Sequence, residues 1–126
     1  MDKPRIVAID DEAEFIDMLQ NYFGLRGYEI NVALRGAKGI ELIKEKKPDV
    51  VLTDLKMPGI DGDEVLRLIN SMSPSPKVIF ITAYDDGGKT KARLLKMGAH
   101  ACLDKPLSSL KDLEDVINQA RGQKDA

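Results

Sequence analysis

Residues 50–62 read VVLTDLKMPGIDG and give the clearest indication of the fold. Its first three positions are apolar and two of them are β-branched, which is typical of a strand covered by helices on both faces. The apolar run stops at Thr53 and Asp54, and Pro58 with Gly59 then marks a turn. A buried strand that ends in a carboxylate predicts a parallel α/β sheet with a polar group at its edge.

Four further apolar runs accompany this strand along the chain. Residues 6–9 and 78–81 are apolar throughout. Residues 28–33 alternate as an edge strand would, and residues 101–103 are the shortest run. Amphipathic stretches of helical period separate these runs, so we expect five strands alternating with five helices. Right-handed crossovers then predict a parallel sandwich in strand order 2-1-3-4-5, with strand three central.

The composition is that of an ordinary globular domain. The 126 residues are 43% hydrophobic and 32% charged, with 19 basic and 21 acidic side chains and a formal net charge of −2. This balance predicts no direct nucleic-acid partner and no membrane partner. A single cysteine, Cys102, excludes an internal disulfide and, with the single His100, a zinc cage built from these residue types.

The distribution of residues along the chain shows no sign of a second unit. There is no internal repeat, low-complexity tract or change in composition, and no apolar run reaches the ~18 residues of a membrane span. We therefore expect a single domain over residues 1–126, with its core at about 5–120, in the cytoplasm.

Polar side chains collect where the predicted strands end. Asp10 and Asp11 follow the first strand, Asp54 the third, Thr82 the fourth and Lys105 the fifth. Because the carboxyl ends of parallel strands share one edge, we expect these groups to converge. Clustered carboxylates repel one another unless a cation lies among them, and Mg²⁺ prefers such oxygen ligands. Asp54 is then the candidate phosphoryl acceptor, since a carboxylate can take a phosphoryl group while Lys105 and Thr82 bind its oxygens.

Taken in order, these landmarks resemble the receiver domains of two-component response regulators, the CheY-like superfamily. The resemblance covers residues 6 to about 120, with an acidic pair after the first strand and DLKMPGIDG at 54–62. It continues with ITA at 81–83 and Lys-Pro at 105–106. It implies a flavodoxin-like (βα)5 fold and a phosphoacceptor switch that is not an enzyme, beyond slow self-dephosphorylation at most.

The resemblance also assigns roles to the acidic residues. It implies that Asp54 accepts a phosphoryl group from a sensor histidine kinase or a phosphotransfer protein. It implies that Asp11 and Asp54 ligate Mg²⁺ through their side chains and that Lys56 does so through its backbone carbonyl. Asp10 would lie nearby and often act through water.

The same resemblance implies how the signal leaves the site. Thr82 would move to bond a phosphoryl oxygen, Lys105 would pair with that group, and the Lys105-Pro106 peptide would be cis. The affected surface would be formed by helix four, strand five and helix five, controlling an output protein or domain in a monomer or weak phosphorylation-dependent dimer. Cys102 departs from the family, which usually carries Tyr or Phe there. Since a thiol cannot fill a ring-sized pocket, we expect the Asp54 chemistry to persist and the coupling to that surface to differ.

Two other functions use similar residues. A haloacid-dehalogenase-like aspartyl-phosphate phosphohydrolase also combines a strand-end Asp, a hydroxyl, a lysine and Mg²⁺. Its nucleophile, however, lies on the first strand in an Asp-x-Asp pattern, whereas here Lys56 stands two residues after Asp54. A flavin- or nucleotide-binding module needs a small-residue phosphate loop after the first strand, where residues 10–12 are all acidic.

Overall fold

A computed structural model describes residues 3–122, in which five β-strands alternate with five α-helices. In chain order the elements are β1 (Ile6–Ile9), α1 (Ala13–Leu25), β2 (Ile30–Ala33), α2 (Gly36–Lys46), β3 (Val50–Thr53), α3 (Gly62–Asn70), β4 (Lys77–Thr82), α4 (Lys89–Lys96), β5 (Ala101–Asp104) and α5 (Leu110–Gly122). None of the helices in this part of the chain is long and apolar enough to cross a membrane.

The strands form one parallel sheet in the order β2-β1-β3-β4-β5. β1 and β3 are paired from Ile6 opposite Val50 to Ile9 opposite Thr53, so these two strands end level with each other. Every residue of β1 and β3 is buried, whereas no residue of the edge strand β5 is. The continuous apolar runs therefore occupy the centre of the sheet, where helices cover both faces. The predicted α/β sandwich and its strand order are confirmed.

The helices divide between the two faces of the sheet. α1 and α5 pack on one face, where Phe23 and Ile117 are fully buried. α2, α3 and α4 pack on the other face through Ile43, Leu66 and Leu94. Burial of a side chain of this size contributes roughly 1.5–3 kcal/mol, so the two apolar layers hold the strand ends in fixed positions.

Some strand bounds differ from the sequence expectation by one or two residues. β2 begins at Ile30 rather than at residue 28, because the Tyr28 amide donates to the Phe23 carbonyl at the end of α1. β4 extends to Thr82 and β5 to Asp104, and these two residues are partners in the ladder. Thr82 and Asp104 are thus held by the sheet itself and do not lie in loops.

Candidate functional site

Asp10 and Asp54 leave neighbouring strands side by side at the carboxyl edge of the sheet. Asp10 follows β1 and Asp54 follows β3, and the Asp54 amide donates to the Ile9 carbonyl at 3.1 Å. This hydrogen bond continues the ladder one residue beyond the strands. Both side chains are buried, since Asp10 is 2% exposed and Asp54 is 8% exposed. Two carboxylates in this position require a cation or strong donors nearby.

Lys105 supplies one such cation. Its Nζ is 3.2 Å from Asp54 Oδ2 and 2.8 Å from Asp10 Oδ2, and it also contacts the Glu12 carboxylate. The residue follows β5, and its peptide bond to Pro106 is cis, as the resemblance implies. One ammonium group therefore faces three carboxylates.

The charge balance of the site remains negative. Burial raises the pKa of Asp10, and the neighbouring Lys105 ammonium opposes that rise. Burial alone would lower the pKa of Lys105, but contacts with Asp10, Glu12 and Asp54 raise it above its ordinary value. Lys105 is therefore charged at neutral pH, and Asp11 adds a further exposed carboxylate to the cluster.

Three of these carboxylates are close enough to share a metal ion. One oxygen each from Asp10, Asp11 and Asp54 lies within 4.8 Å of the others. The buried Asp10 Oδ2 has no hydrogen-bond partner, and the cation beside it, the Lys105 ammonium at 2.8 Å, is shared with Asp54 and Glu12. Buried carboxylate oxygens without a donor are rare, and hard oxygen ligands are those that Mg²⁺ prefers. The donor set fits a divalent cation.

The Asp54 carboxylate is fixed at both oxygens. The Leu55 amide donates to Oδ1 at 2.7 Å, and Lys105 Nζ donates to Oδ2 at 3.2 Å. The start of α3 packs tightly behind it, because a Cβ atom at Gly62 would lie 2.4 Å from the Asp54 carbonyl oxygen. Any side chain at position 62 would displace the end of β3, so glycine there keeps Asp54 in place.

Thr82 and Lys56 border this group. Thr82 is buried at the end of β4, and its hydroxyl accepts a hydrogen bond from the Tyr84 amide at 3.2 Å. A hydroxyl that accepts in this way can still donate its own hydrogen to another oxygen. The exposed side chain of Lys56 extends over the Tyr84 ring, with the ammonium 5.0 Å from the ring centroid. The sequence-predicted residues thus occupy one edge, with Lys56 and Tyr84 at its rim.

Two further residues reach the site and were given no role from the sequence. Glu12 accepts a hydrogen bond from Lys105, and the Glu12 amide donates to Asp10 Oδ1 at 2.9 Å. Phe15, in the first turn of α1, has its ring centroid 4.7 Å from Lys105 Nζ. The position of Glu12 directly after the acidic pair is a signal that could have indicated it. For Phe15, the apolar spacing of α1 indicates only a core position.

Asp10, Asp11, Glu12 and Asp54, with Lys105 among them, form an acidic pocket at the carboxyl edge of the sheet. This pocket and the sheet order are together typical of CheY-like α/β signalling domains. The chain belongs to the response regulator receiver domain family, whose model matches residues 6–118. Its fold is accordingly flavodoxin-like, and the family consists of regulatory phosphoacceptor domains of two-component systems, not classical enzymes. The family predicted from the motifs is confirmed.

Individual relatives agree with this assignment. The chain is 34% identical over 116 residues to the regulatory protein AtoC of Escherichia coli K12, covering 92% of this chain and 25% of that protein. It therefore spans about a quarter of that relative's length. A response regulator receiver domain from Clostridium thermocellum is 32% identical, with a TM-score of 0.85 over 96% of both chains. The signal receiver domain of a DNA-binding response regulator (merR) from Colwellia psychrerythraea 34H is 31% identical, with a TM-score of 0.84 over 96% of this chain and 100% of that one.

Proposed function

We propose that Asp54 accepts a phosphoryl group, in a Mg²⁺-dependent reaction, from a sensor histidine kinase or a phosphotransfer protein. The observation that carries this proposal is the setting of Asp54 on the central strand. Its carboxylate is buried, contacts Lys105 at 3.2 Å, and lies within 4.8 Å of oxygens of Asp10 and Asp11. This arrangement offers a nucleophile, a cation for the transferred group and a place for a metal ion.

The transfer begins with an Asp54 carboxylate oxygen attacking the phosphorus of a phosphohistidine. The new O–P bond forms as the donor's N–P bond breaks, and the electron pair leaves on the imidazole nitrogen. Lys105 neutralises charge on the transferred group, and the Leu55 amide keeps the carboxylate oriented during attack. Thr82 donates its hydroxyl hydrogen to a phosphoryl oxygen after the transfer.

The metal ion would be held by the side chains of Asp11 and Asp54 and by the Lys56 backbone carbonyl. Asp10 would bind it directly or through water, which gives a partner to the buried oxygen that accepts no hydrogen bond. When bound, Mg²⁺ supplies the positive charge that lets an anionic carboxylate approach an anionic phosphoryl donor.

The donor has space to dock beside the acidic pocket. An open cavity of about 570 Å³ adjoins Lys105 and is lined by Phe15, Met18, Leu107 and neighbouring residues. We place the output at the surface of α4, β5 and α5, which would control an output protein or domain. We further propose that the chain acts as one receiver domain over residues 1–126, in the cytoplasm, as a monomer or a weak phosphorylation-dependent dimer, with neither nucleic acid nor membrane as a direct partner.

The residues around Asp54 favour a switch over the phosphohydrolase alternative. The second residue after Asp54 is Lys56, whose ammonium lies over the Tyr84 ring, so the second aspartate of the Asp-x-Asp pattern is missing. That aspartate is the acid/base group of the phosphohydrolase. We therefore propose self-dephosphorylation that is slow at most.

Intact mass measurement after incubation with acetyl phosphate tests this function. With MgCl₂ the chain is expected to gain one phosphoryl group, and with EDTA it is expected to gain none. Asp54→Ala should abolish the gain, whereas the exposed-residue control Asp115→Asn should retain it. A gain that persists in Asp54→Ala, or rapid turnover of p-nitrophenyl phosphate by the unmodified chain, would overturn the proposal.

A further inference from the structure

Helix α4 is attached to the domain with little apolar contact. Among its residues, Lys89–Lys96, Leu94 is the one buried side chain. Gly87 and Gly88 precede the helix with φ of 78° and 92°, values that other residues rarely adopt. Its first turn is held by the Asp86 carboxylate, which accepts hydrogen bonds from the Thr90 amide at 3.0 Å and the Thr90 hydroxyl at 2.7 Å. A helix this short depends on tertiary contacts for its stability, so its few polar contacts determine where it lies.

Two ion pairs hold α4 to different neighbours. Lys91 Nζ is 2.7 Å from Asp104 Oδ1 on β5, and Arg93 Nη1 is 3.0 Å from Asp63 Oδ2 on α3. Residues two apart on a helix point in different directions, so the two pairs act on different sides of α4. The pair between Lys91 and Asp104 is the one that joins α4 to the sheet.

Asp104 lies at the junction between that ion pair and the acidic pocket. It is the ladder partner of Thr82, and the amide of the next residue, Lys105, donates to the Thr82 carbonyl at 3.0 Å. The Lys105 ammonium in turn lies 3.2 Å from Asp54 Oδ2. Asp104 is therefore joined through its backbone to Lys105, whose side chain contacts Asp54, while its own carboxylate binds Lys91 on α4.

Cys102 is two residues before Asp104 and so lies on the same face of β5. It packs against the apolar cluster that contains Leu94, which places it on the side of the sheet that α4 covers. A thiol has no ring that could move in and out between strand and helix. On this face the polar connection from β5 to α4 is made by the ion pair of Asp104 with Lys91.

We infer that Asp104 and Lys91 are positioning residues that transmit the state of Asp54 to α4. This inference rests on the proposed function. A phosphoryl group on Asp54 draws Lys105 and Thr82 toward itself. Asp104, which precedes Lys105 and is paired with Thr82 in the ladder, then carries its carboxylate away from Lys91. The conformations in which α4 is released from its ion pair with β5 then become more populated. Because the two side chains are 33% and 67% exposed, the pair is partly screened by salt, and its loss changes that population about two- to fivefold.

Amide hydrogen exchange of α4 in the full chain tests this coupling, with and without acetyl phosphate and Mg²⁺. In the unmodified chain, phosphorylation is expected to raise α4 exchange about two- to fivefold. In Lys91→Gln, amide exchange of α4 should be raised before phosphorylation and should hardly rise further after it. Acetyl phosphate should phosphorylate Asp54 in this variant at the same rate as in the unmodified chain. Exchanging the charges, with Lys91→Asp and Asp104→Lys together, should restore the response.

Arg93→Gln is the matched control. It removes the ion pair of α4 with α3 and leaves the pair with Asp104, so it should loosen α4 and retain the response to phosphorylation. Intact mass of the same samples separates the two proposals. An unlabelled chain would overturn the proposed function and the coupling with it. A labelled Lys91→Gln chain with the full α4 response, or a charge exchange that restores nothing, would overturn the coupling alone.

Discussion

Glu114 and Asp10 are two buried carboxylates in opposite surroundings. Glu114, on α5, accepts hydrogen bonds from the Tyr22 hydroxyl at 3.0 Å, the Tyr28 hydroxyl at 2.7 Å and the Arg26 guanidinium at 3.0 Å. Both of its oxygens are therefore satisfied by donors, one of them charged. This cluster joins the end of α1 to α5 and contains one acid for one base.

Asp10 lies in a cluster that holds more carboxylates than cations. Its Oδ1 accepts one amide hydrogen bond from Glu12, whereas its buried Oδ2 accepts none. Lys105 is shared among Asp10, Glu12 and Asp54, so no carboxylate there has the ammonium to itself. The acidic pocket is thus arranged to receive further positive charge.

The pKa values of the two carboxylates shift in opposite directions. Burial alone would raise the pKa of Glu114, but hydrogen bonds from Arg26, Tyr28 and Tyr22 lower it to about 2. Burial raises the pKa of Asp10. Ionised Glu114 therefore stabilises the fold, whereas ionised Asp10 destabilises it. The Glu114 cluster thus serves stability, whereas the Asp10 cluster is maintained at the expense of stability, as functional sites often are.

The largest expected effect on stability is that of Glu114→Ala. The change leaves the Arg26 guanidinium and two tyrosine hydroxyls without their acceptor and should lower the free energy of unfolding by about 3 kcal/mol. Urea denaturation checks this value. The control Glu41→Ala removes a carboxylate that is 66% exposed and should change stability by less than about 0.5 kcal/mol. If Glu114→Ala and Glu41→Ala changed the free energy of unfolding equally, the Glu114 cluster would have no special role in stability.

Acid titration tests the same cluster without losing side-chain packing. A carboxylate whose pKa is lowered on folding contributes stability above its unfolded pKa of about 4.3, and that contribution disappears as the pH falls toward about 2. The unmodified chain should therefore lose stability relative to Glu114→Gln across this range. Urea midpoints of the two chains measured from pH 7 to pH 2 should converge. A constant difference would show that the Glu114 charge is not responsible.

Asp10→Asn should change the free energy of unfolding in the opposite direction. It removes a negative charge that burial disfavours, so the free energy of unfolding at pH 7 should rise by about 1 kcal/mol. Mg²⁺ affinity, measured by calorimetric titration, should fall at least about tenfold, as expected when a ligand or its close neighbour is lost. Asp11→Asn, which removes an exposed carboxylate, should weaken Mg²⁺ binding with little change in stability. Destabilisation by Asp10→Asn would show that the buried Asp10 charge does not cost stability.

Cys102→Tyr should have the smallest effect on the pocket itself. The side chain lies on β5 on the α4-covered face and outside the group of carboxylates, so labelling by acetyl phosphate should stay within about twofold of the unmodified chain. The α4 exchange difference between phosphorylated and unphosphorylated protein should change more. A large change in the labelling rate with unchanged α4 exchange would reverse this expectation.

The acidic pocket could be predicted from the sequence because its chemistry follows strand ends. Asp10, Asp54 and Lys105 each come within two residues of the end of an apolar run, and parallel strands bring such positions together. The Glu114 cluster could not be predicted, because Glu114 occupies an ordinary position in an amphipathic helix and its tyrosine partners are 86 and 92 residues away. Hydrophobic periodicity gives the order and faces of the elements, but it does not show which polar side chains cross between them.

Borohydride trapping identifies the phosphorylated residue chemically. The chain is incubated with acetyl phosphate and Mg²⁺, and sodium borohydride then reduces any acyl phosphate to the corresponding alcohol, which converts a phosphorylated aspartate to homoserine. Peptide mass mapping should find homoserine at position 54, with Mg²⁺ and not with EDTA. Homoserine at another carboxylate of the pocket, or none at all in a chain that binds Mg²⁺, would contradict the assignment of Asp54 as the phosphoryl acceptor.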